Sequence, residues 1–447
     1  MHARSPLISA LLALTLGGAL AFGVLAFLST SPSAYPQATT TPSQTVVEVV
    51  DTLATTTTRS ASTTPDYLDE RARTLRASGA QFVVIDLSAK TLEVLEQGTT
   101  TLSMPIKAIA ATSSWWQTPP GYYEVLSKKP SHDSSFGNVT MPWNLPFQGN
   151  FFIHGWPRYA SGRPATSAVS GGCIRLREAD AKALYELLPV GTPIIITEDR
   201  FDSSLTFTKR LTPPPLASEH HLAVDLTDNR ALLASGAQEQ LPVGDLATLL
   251  SALVASEHIG MERSLYAVGD ANDNGRIKHN ERYRLFDLLF PLLEDWSREP
   301  EETVAQYMGE DRFERRLAYK LRALGMDTSH ARVATSGVAL ETTALDLVQL
   351  ARYTHLYRNF LFEITDASIP IYLYGEPTTG RRQWPRIFPG FEDFRGGVYD
   401  QETGSVVALF DLSEHGGSAA TLFISLHSDD PLQDVVDMRW RVLTAQN

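Results

Sequence analysis

The chain has 447 residues, of which 43% are hydrophobic and 20% are charged, and its formal net charge is -13. Such a length is too great for one ordinary core, so two or three domains are expected. The negative charge and the lack of a basic stripe exclude a nucleic-acid-binding protein, which would need clustered Lys and Arg.

The N-terminal segment predicts export from the cytoplasm. Residues 7–28 carry no charge, and as a helix of about 33 Å they would cross a bilayer. The run is longer than the apolar region of a secretory signal, so residues 1–28 are interpreted as a transmembrane anchor, with a cleaved signal as the alternative. The rest of the chain is then expected in the periplasm or cell wall, anchored to the membrane or secreted.

A mostly-β domain is predicted to follow a tether. Residues 29–65 are rich in Thr, Ser and Pro and predict a disordered linker. DYLDERARTLRASG, residues 66–79, predicts a short helix that ends near Gly79. Residues 79–200 then predict a compact domain, in which residues 130–149 are expected to form a long surface loop. Its predicted strands are QFVVIDL, KTLEVLEQG, LSMPIKAIA, GYYEVLSK, NFFIHGW and TPIIITED, and EADAKALYELLPVG predicts a helix.

A second domain of mixed type is predicted at the C-terminus. Residues 201–220 include the Pro-rich run LTPPPLASEHH and predict a linker. Residues 221–447 read as a strand, HLAVDLT, followed by several helices and then two strands, SVVALFDLSE and AATLFISLHS. This order predicts an α+β domain in which helices cover a sheet.

The single cysteine of the chain, Cys173, lies in SAVSGGCIRL, residues 167–176. A lone thiol in an exported protein pairs with another molecule, is a reactive group, or is a small buried hydrophobe. A catalytic thiol needs a base and donors for an oxyanion, which His154 and the backbone at Gly171 and Gly172 would supply. The turn is expected to lead into a helix whose N-terminus would lower the pKa of the thiol.

These residues resemble the L,D-transpeptidases with a YkuD-type catalytic domain. The matching motifs are His154 followed by glycine, then SGGCIR at 170–175, with QTPPG at 117–121 before the next strand. The resemblance covers about residues 80–198. In one departure, Gly171 occupies the position that usually holds a second histidine, and His154 keeps the role of the base.

The resemblance implies a thioester mechanism on peptidoglycan stem peptides. Cys173, deprotonated by His154, would attack the carbonyl before the terminal D-Ala of a tetrapeptide, and an amine of a neighbouring stem would resolve the thioester into a cross-link. The backbone N–H groups of Gly171, Gly172 and Cys173 would stabilise the oxyanion, and the Gly155 carbonyl would orient His154. A carbapenem is expected to acylate the same sulfur.

Two further residues are candidates for substrate binding. Arg175 would suit a substrate carboxylate, and a structural salt bridge is the alternative. Ser170 would either hydrogen-bond within the turn or touch the substrate. No cofactor and no metal are expected.

Residues 270–281, DANDNGRIKHNE, leave calcium binding as an open alternative. They match the spacing of an EF-hand loop, whose ligands would be Asp270, Asn272, Asn274, the Arg276 carbonyl and Glu281. Only the first and last of these positions carry acids, and Lys278 would place a cation beside the ion.

Residues 222–430 resemble the serine D-alanyl-D-alanine carboxypeptidases of the penicillin-binding type. Asp245 and Thr248 stand where the nucleophilic Ser and its Lys would be, and WSR at 296–298 and RGG at 395–397 replace the other motifs. A serine acyl-enzyme needs its hydroxyl and its base, so this domain is predicted to be inactive. It would then bind stem peptides or partner enzymes, or only pack against the first domain.

The sequence therefore predicts a membrane-tethered L,D-transpeptidase of cell-wall biogenesis. Two alternatives stay open, which are a non-catalytic scaffold that binds peptidoglycan and an L,D-carboxypeptidase that uses water as acceptor.

Overall fold

A computed structural model describes most of the chain beyond the N-terminal sixty residues. The described residues are 62–112, 114–134, 138–167, 170–207, 211–268, 277–294, 298–335, 337–366, 368 and 387–446. Within these ranges, no helix is both long and apolar enough to cross a bilayer. The predicted anchor at 7–28 lies outside the described residues, as do most of the linker and most of the candidate calcium loop.

The first part of the described chain, residues 62–207, is rich in strands, as predicted. Its elements are β1 (Ser62–Thr64), α1 (Tyr67–Ser78), β2 (Phe82–Asp86), β3 (Thr91–Glu96), β4 (Thr99–Pro105), β5 (Gly121–Glu124), β6 (Lys129–Ser134), β7 (Val139–Gln148), β8 (Phe151–His154), β9 (Arg158–Tyr159), β10 (Ile174–Arg175), α2 (Glu178–Leu187), β11 (Pro193–Thr197) and β12 (Leu205–Phe207).

The predicted helix at 66–79 is confirmed, and its two ends have clear causes. The Asp66 carboxylate accepts hydrogen bonds from the N–H groups of Leu68 and Asp69, which satisfies two of the free donors of the first turn. Gly79 ends the helix in the left-handed conformation, with φ of 69°.

Two sheets enclose the core of this first part. One has the order β4-β3-β2-β11-β5, and the other has the order β10-β8-β7-β6, with β9 paired to β7. Alternate residues of their strands face a shared apolar core, as expected for sheets with one buried face. Core residues of the two sheets include Val83, Val94, Leu145, Ile153 and Ile194.

The loop predicted over residues 130–149 is wrong, because this segment forms most of the hairpin of β6 and β7. The strands pair antiparallel, with Lys129 opposite Asn144 and Ser134 opposite Val139. β6 is an edge strand and is mostly exposed, so its polar side chains and proline are compatible with pairing. The second half of β7 is buried, and it contributes Leu145 and Phe147 to the core.

The second part, residues 211–446, combines a central sheet with helices, as predicted. Its elements are β13 (His220–Asp225), β14 (Arg230–Ser235), β15 (Leu241–Pro242), α3 (Ala247–His258), β16 (Ser264–Tyr266), β17 (Arg282–Arg284), α4 (Leu285–Glu294), α5 (Arg298–Met308), α6 (Glu310–Ala323), β18 (His330–Ala334), β19 (Gly337–Thr342), α7 (Ala344–Tyr357), α8 (Phe360–Asp366), β20 (Phe394–Asp400), β21 (Ser405–Phe410), β22 (Thr421–Leu426) and α9 (Pro431–Gln446).

The largest sheet joins both parts of the chain. Its order is β1-β12-β14-β13-β22-β21-β20. β1 lies within residues 29–65 and β12 within residues 201–220, so strands form inside both segments that were expected to be linkers. The Thr64 hydroxyl accepts a hydrogen bond from the N–H of Leu205 at 2.9 Å, in addition to the strand pairing. A smaller sheet has the order β15-β19-β18, and β16 pairs with β17.

A single apolar core continues from the first part into the second. It includes Leu68, Phe82 and Ile195 of the first part, together with Leu253 and Tyr353 of the second. Residues 58–447 accordingly form one compact unit. The shared core fixes how the second part sits against the sheet that contains β2, β3 and β11.

Candidate active site

The pairing of β8 with β10 brings the two predicted catalytic residues to one sheet. The strands are parallel, with Ile174 opposite Ile153 and Arg175 opposite His154. Ile153 and Ile174 point into the core, where their exposed fractions are 1% and 0%. Because side chains alternate along a strand, His154 and Cys173, the residue just before β10, project to the other face.

His154 is oriented by its own neighbour in the chain. Its Nδ1 lies 2.6 Å from the Gly155 carbonyl oxygen, which can only accept, so Nδ1 carries the hydrogen and Nε2 holds the lone pair. The side chain is 1% exposed. Burial lowers the pKa of His154 to about 4, and the charge of Arg175 also lowers it, against the opposing effect of the Gly155 bond. The imidazole is therefore neutral at pH 7.

Cys173 is a protonated thiol at neutral pH. Burial raises its pKa to about 11, although a backbone hydrogen bond from Phe152 and the charge of Arg175 act in the other direction. The predicted helix N-terminus beside the thiol is wrong, since Cys173 is followed by β10 and α2 begins only at Glu178. The proton must consequently leave the sulfur during the attack rather than before it.

Hydrogen bonds hold the turn before Cys173 in one conformation. The Ser170 hydroxyl donates to the Cys173 carbonyl at 2.6 Å and accepts from the N–H of Gly172 at 3.1 Å. The Thr118 hydroxyl donates to the Gly172 carbonyl at 2.8 Å. Ser170 thus lies within the turn, the first of its two predicted alternatives, and the N–H of Gly172 is engaged there.

Only glycine fits at position 172. Its φ is +106°, and a Cβ would overlap with the Phe151 ring and the Trp116 carbonyl. Gly171, by contrast, is exposed, and a Cβ there would have no described heavy atom within 4 Å. A side chain at position 171, where the resembling family has histidine, would therefore point into open space.

Arg175 is partnered by a carbonyl rather than by a carboxylate. Its Nη1 donates to the Ser167 carbonyl at 2.8 Å, and its guanidinium lies 5.6 Å from the centroid of the Trp156 ring. Burial lowers the pKa of Arg175. A cavity of about 470 Å³ lies beside this segment and is lined by Lys107, Trp156, Arg158, Pro164, Arg177 and Glu178.

The second part carries no serine nucleophile at the matching position. Asp245 lies in the short helical turn Gly244–Leu246 before α3, and burial together with the charges of Asp400, Glu402 and Glu301 raises its pKa to about 6. The Thr248 hydroxyl donates to the Asp245 carbonyl at 2.7 Å. Trp296 and Ser297 lie outside the described residues. Within those residues, no group of three or more His, Cys, Asp and Glu could hold a metal ion.

Several residues of the site were missed by sequence reasoning. Thr118 belongs to the QTPPG motif, which was noted for its resemblance to the family but not for a contact with Gly172. Phe151 was visible only as part of a predicted strand. Arg358 of the second part donates to carbonyls of the Trp115–Gln117 segment, and nothing in its sequence neighbourhood indicates that contact.

Comparison with known proteins finds a catalytic domain of known type in the first part. The family model of the L,D-transpeptidase catalytic domain, YkuD, matches residues 80–196. A Bacillus licheniformis protein described as an L,D-transpeptidase, YkuD, is 29% identical over 115 residues, which are 26% of this chain and 64% of that protein. This chain thus spans less than two thirds of that relative. Residues 80–196 therefore match an L,D-transpeptidase catalytic domain, as their motifs predict.

Two solved structures are each similar to a share of the chain. An L,D-transpeptidase structure from Stackebrandtia nassauensis is 26% identical with a TM-score of 0.22, and the match covers 26% of this chain and 55% of that one. A D-alanyl-D-alanine carboxypeptidase structure from Mycobacterium tuberculosis H37Rv is 17% identical with a TM-score of 0.44, covering 54% of this chain and 95% of that one.

Proposed function

We propose that this protein is a peptidoglycan L,D-transpeptidase that cross-links stem peptides through a thioester on Cys173. The observation that carries the proposal is the β8–β10 pairing within a domain of this family, which sets an oriented imidazole and the only thiol of the chain on one face. An acyl-transfer site needs this combination of nucleophile and adjacent base.

The first half of the reaction starts from two neutral groups. The Cys173 sulfur attacks the carbonyl between the third residue and the terminal D-Ala of a tetrapeptide, and its proton passes to Nε2 of His154. The carbon–nitrogen bond then breaks, and His154 returns the proton to the nitrogen of the departing D-Ala. A thioester on Cys173 remains.

The second half forms the cross-link. The acceptor amine, for which we propose the side chain of the third residue of a neighbouring stem, attacks the thioester and gives its proton to His154. The sulfur leaves as a thiolate and takes the proton back. Backbone N–H groups at Gly171, Gly172 and Cys173 are proposed to stabilise the oxyanion, which requires the N–H of Gly172 to turn from Ser170 toward the substrate.

The proposal also covers substrate binding by Arg175 and the location of the protein. A guanidinium is suited to a substrate carboxylate, and the described hydrogen bond of the Arg175 guanidinium goes to the Ser167 carbonyl. The protein is proposed to act on the cell wall outside the cytoplasm, tethered to the membrane through residues 7–28.

Mass spectrometry on the full chain tests the chemistry. Incubation with a disaccharide-tetrapeptide is expected to release D-Ala and to give a dimer, and incubation with a carbapenem is expected to add its mass to Cys173. Both products should be absent in Cys173→Ala. In His154→Ala the acylation rate should fall by about 10²–10⁴-fold, the usual effect of losing a general base.

A matched control and two other outcomes make this test decisive. His330→Ala removes an exposed histidine of β18 and should leave both reactions unchanged. Release of D-Ala without a dimer would replace the proposal by an L,D-carboxypeptidase that uses water. No product and no adduct would replace it by a non-catalytic scaffold.

A further inference from the structure

Charged side chains of the second part are buried where it meets the first. Glu257 of α3, Lys320 of α6 and Arg358, the residue after α7, all have fully buried side chains. Glu257 pairs with Lys320 at 2.8 Å and with Arg358 at 3.0 Å, and it accepts from the Tyr353 hydroxyl at 2.6 Å. These two cations hold the pKa of Glu257 below its usual range, although burial alone would raise it. Removing one partner of a buried ion pair leaves an uncompensated charge, so Lys320 and Arg358 both depend on Glu257 as their counter-ion.

Glu257 also binds the turn between β7 and β8. Its carboxylate accepts from the Gln148 amide at 2.7 Å, and its main-chain carbonyl accepts from the N–H of Asn150 at 3.1 Å. The carbonyl of the same Asn150 lies 3.8 Å from the Cys173 sulfur. A Cβ at Gly149 would overlap with the Glu257 carbonyl, so the approach is as close as the backbone allows. One residue therefore separates the cluster from the thiol.

Arg358 contacts the segment that packs against residues 170–173, which we call the nucleophile turn. Its Nη1 donates to the Trp115 carbonyl at 3.3 Å and to the Gln117 carbonyl at 3.2 Å. Its guanidinium also lies 5.1 Å from the centroid of the Phe151 ring.

The two groups that enclose Gly172 both belong to segments that Arg358 contacts. A Cβ at Gly172 would overlap with the Phe151 ring and with the Trp116 carbonyl, and Trp116 lies between the two residues whose carbonyls bind Arg358. Thr118, the next residue of that segment, donates to the Gly172 carbonyl. Displacement of the guanidinium would therefore loosen both groups that enclose Gly172, the Phe151 ring and the Trp116 carbonyl.

We infer that Arg358 and Glu257 are positioning residues for Cys173, and that the second part of the chain serves as the rigid support of the nucleophile turn. This inference rests on the proposed function for its effect on turnover. The planar guanidinium can bond two carbonyls, pair with a carboxylate and stack on a ring, which an ammonium cannot do together. A part that lacks its own serine nucleophile thus contributes to the chemistry of its neighbour.

Replacement of Arg358 tests the inference against a matched change. Arg358→Gln in the full chain is expected to lower kcat for the disaccharide-tetrapeptide by about 10²-fold, the effect of a small misplacement of a reacting group, with KM changed less than about threefold. Arg352→Gln removes another fully buried arginine from α7, one that bonds Gln349 at 2.9 Å. Arg352→Gln should leave kcat within about threefold of the wild-type value, because none of the described contacts of Arg352 is with Phe151 or with the Trp115–Gln117 segment.

A conservative variant separates positioning from charge balance. Arg358→Lys keeps a cation beside Glu257 but loses the fork and the stacking plane. It is expected to recover the thermal stability of the wild type while kcat stays low. Full recovery of kcat in Arg358→Lys, or an equal fall of kcat in Arg352→Gln, would overturn the inference.

A double-mutant cycle covers the case in which Arg358→Gln does not fold. Thr118→Val removes only the hydrogen bond to the Gly172 carbonyl. In the double variant Thr118→Val/Arg358→Lys, the fold decrease in kcat should be less than the product of the decreases in the two single variants. The reason is that both substitutions loosen the same turn. Independent, multiplicative effects would contradict the inference.

Alkylation of Cys173 by iodoacetamide keeps the inference testable without turnover. If the wild type shows no reaction with stem peptides, the proposed function fails, but the alkylation rate still reports how the turn is held. Arg358→Gln should raise this rate at pH 7 by about tenfold, since a more hydrated thiol has a lower pKa and a larger thiolate fraction. An unchanged rate in Arg358→Gln, or the same rise in Arg352→Gln, would overturn the inference.

Discussion

Two adjacent glycines before Cys173 show how much the meaning of a residue depends on its surroundings. Gly172 has a positive φ and is enclosed by the Phe151 ring and the Trp116 carbonyl, whereas Gly171 is exposed and has open space around its Cα. In the sequence the two are indistinguishable. Position 172 requires glycine for the turn to exist, and position 171 does not.

Alanine substitutions are expected to separate the two glycines. Gly172→Ala should lower the free energy of unfolding by about 3 kcal/mol, because it adds both backbone strain and overlap in a packed site. Gly171→Ala should change it by less than about 0.5 kcal/mol, as for other exposed sites. Urea denaturation measures both. Equal effects of the two variants would show that the turn is not held as the structure has it.

The sequence predicts the reactive centre better than its support. His154, Gly155 and Cys173 could be chosen because they lie in short motifs that chemistry demands. The structure places the histidine at the end of β8 and the thiol directly before the paired strand β10. Arg358 and Glu257 could not be chosen, because their contacts depend on the packing of distant helices. The wrong expectation of a lowered thiol pKa came from assuming that a helix follows the turn directly.

At the scale of elements, α1 joins local capping to long-range contact. One Asp66 oxygen accepts from the N–H groups of Leu68 and Asp69, and the other accepts from the N–H and the hydroxyl of Ser203. The same carboxylate therefore starts the helix and fixes the chain that leads into β12.

Asp66→Ala is expected to destabilise the protein by about 2–3 kcal/mol. It removes a helix cap, typically about 1 kcal/mol, and leaves the N–H of Ser203 without its acceptor. Glu70→Ala, in the same first turn but exposed, is the control and should cost less than about 0.5 kcal/mol. Chemical denaturation that gives similar values for both variants would contradict the capping role.

Elements with strong local signals could be predicted, and those made by pairing could not. The helix at 66–79 carries its own cap residues, and β2 and β3 are apolar runs bounded by turn residues. The hairpin of β6 and β7 was missed because proline, serine and asparagine are typical of loops, while an edge strand tolerates them. β1 and β12 are three residues each, and such short segments become strands only because a neighbour is present.

At the scale of the whole molecule, the two parts share one apolar core and bury titratable groups together. His154 is 1% exposed and has a pKa of about 4. An unfolded histidine has a pKa near 6.5, so between these values the unfolded chain binds more protons than the folded one. By linkage, this residue contributes stability above pH 6.5 that is lost as the pH falls toward 4.

The pH dependence of unfolding is expected to show this contribution. Between pH 7.5 and pH 5, wild-type stability should fall by about 2 kcal/mol more than that of His154→Gln, which has no group to titrate. Urea denaturation at the two pH values gives the difference directly. Parallel curves for the two proteins would mean that His154 is solvated in the folded state.

The continuous core has a consequence for how this chain can be divided. Phe82 and Ile195 of the first part pack in one core with residues of the second part. A fragment that ends at residue 200 would therefore expose these apolar side chains to water. The two halves are thus poor candidates for separate exchange between genes. Anyone who wishes to transplant the cysteine centre onto another scaffold would have to carry its neighbour along.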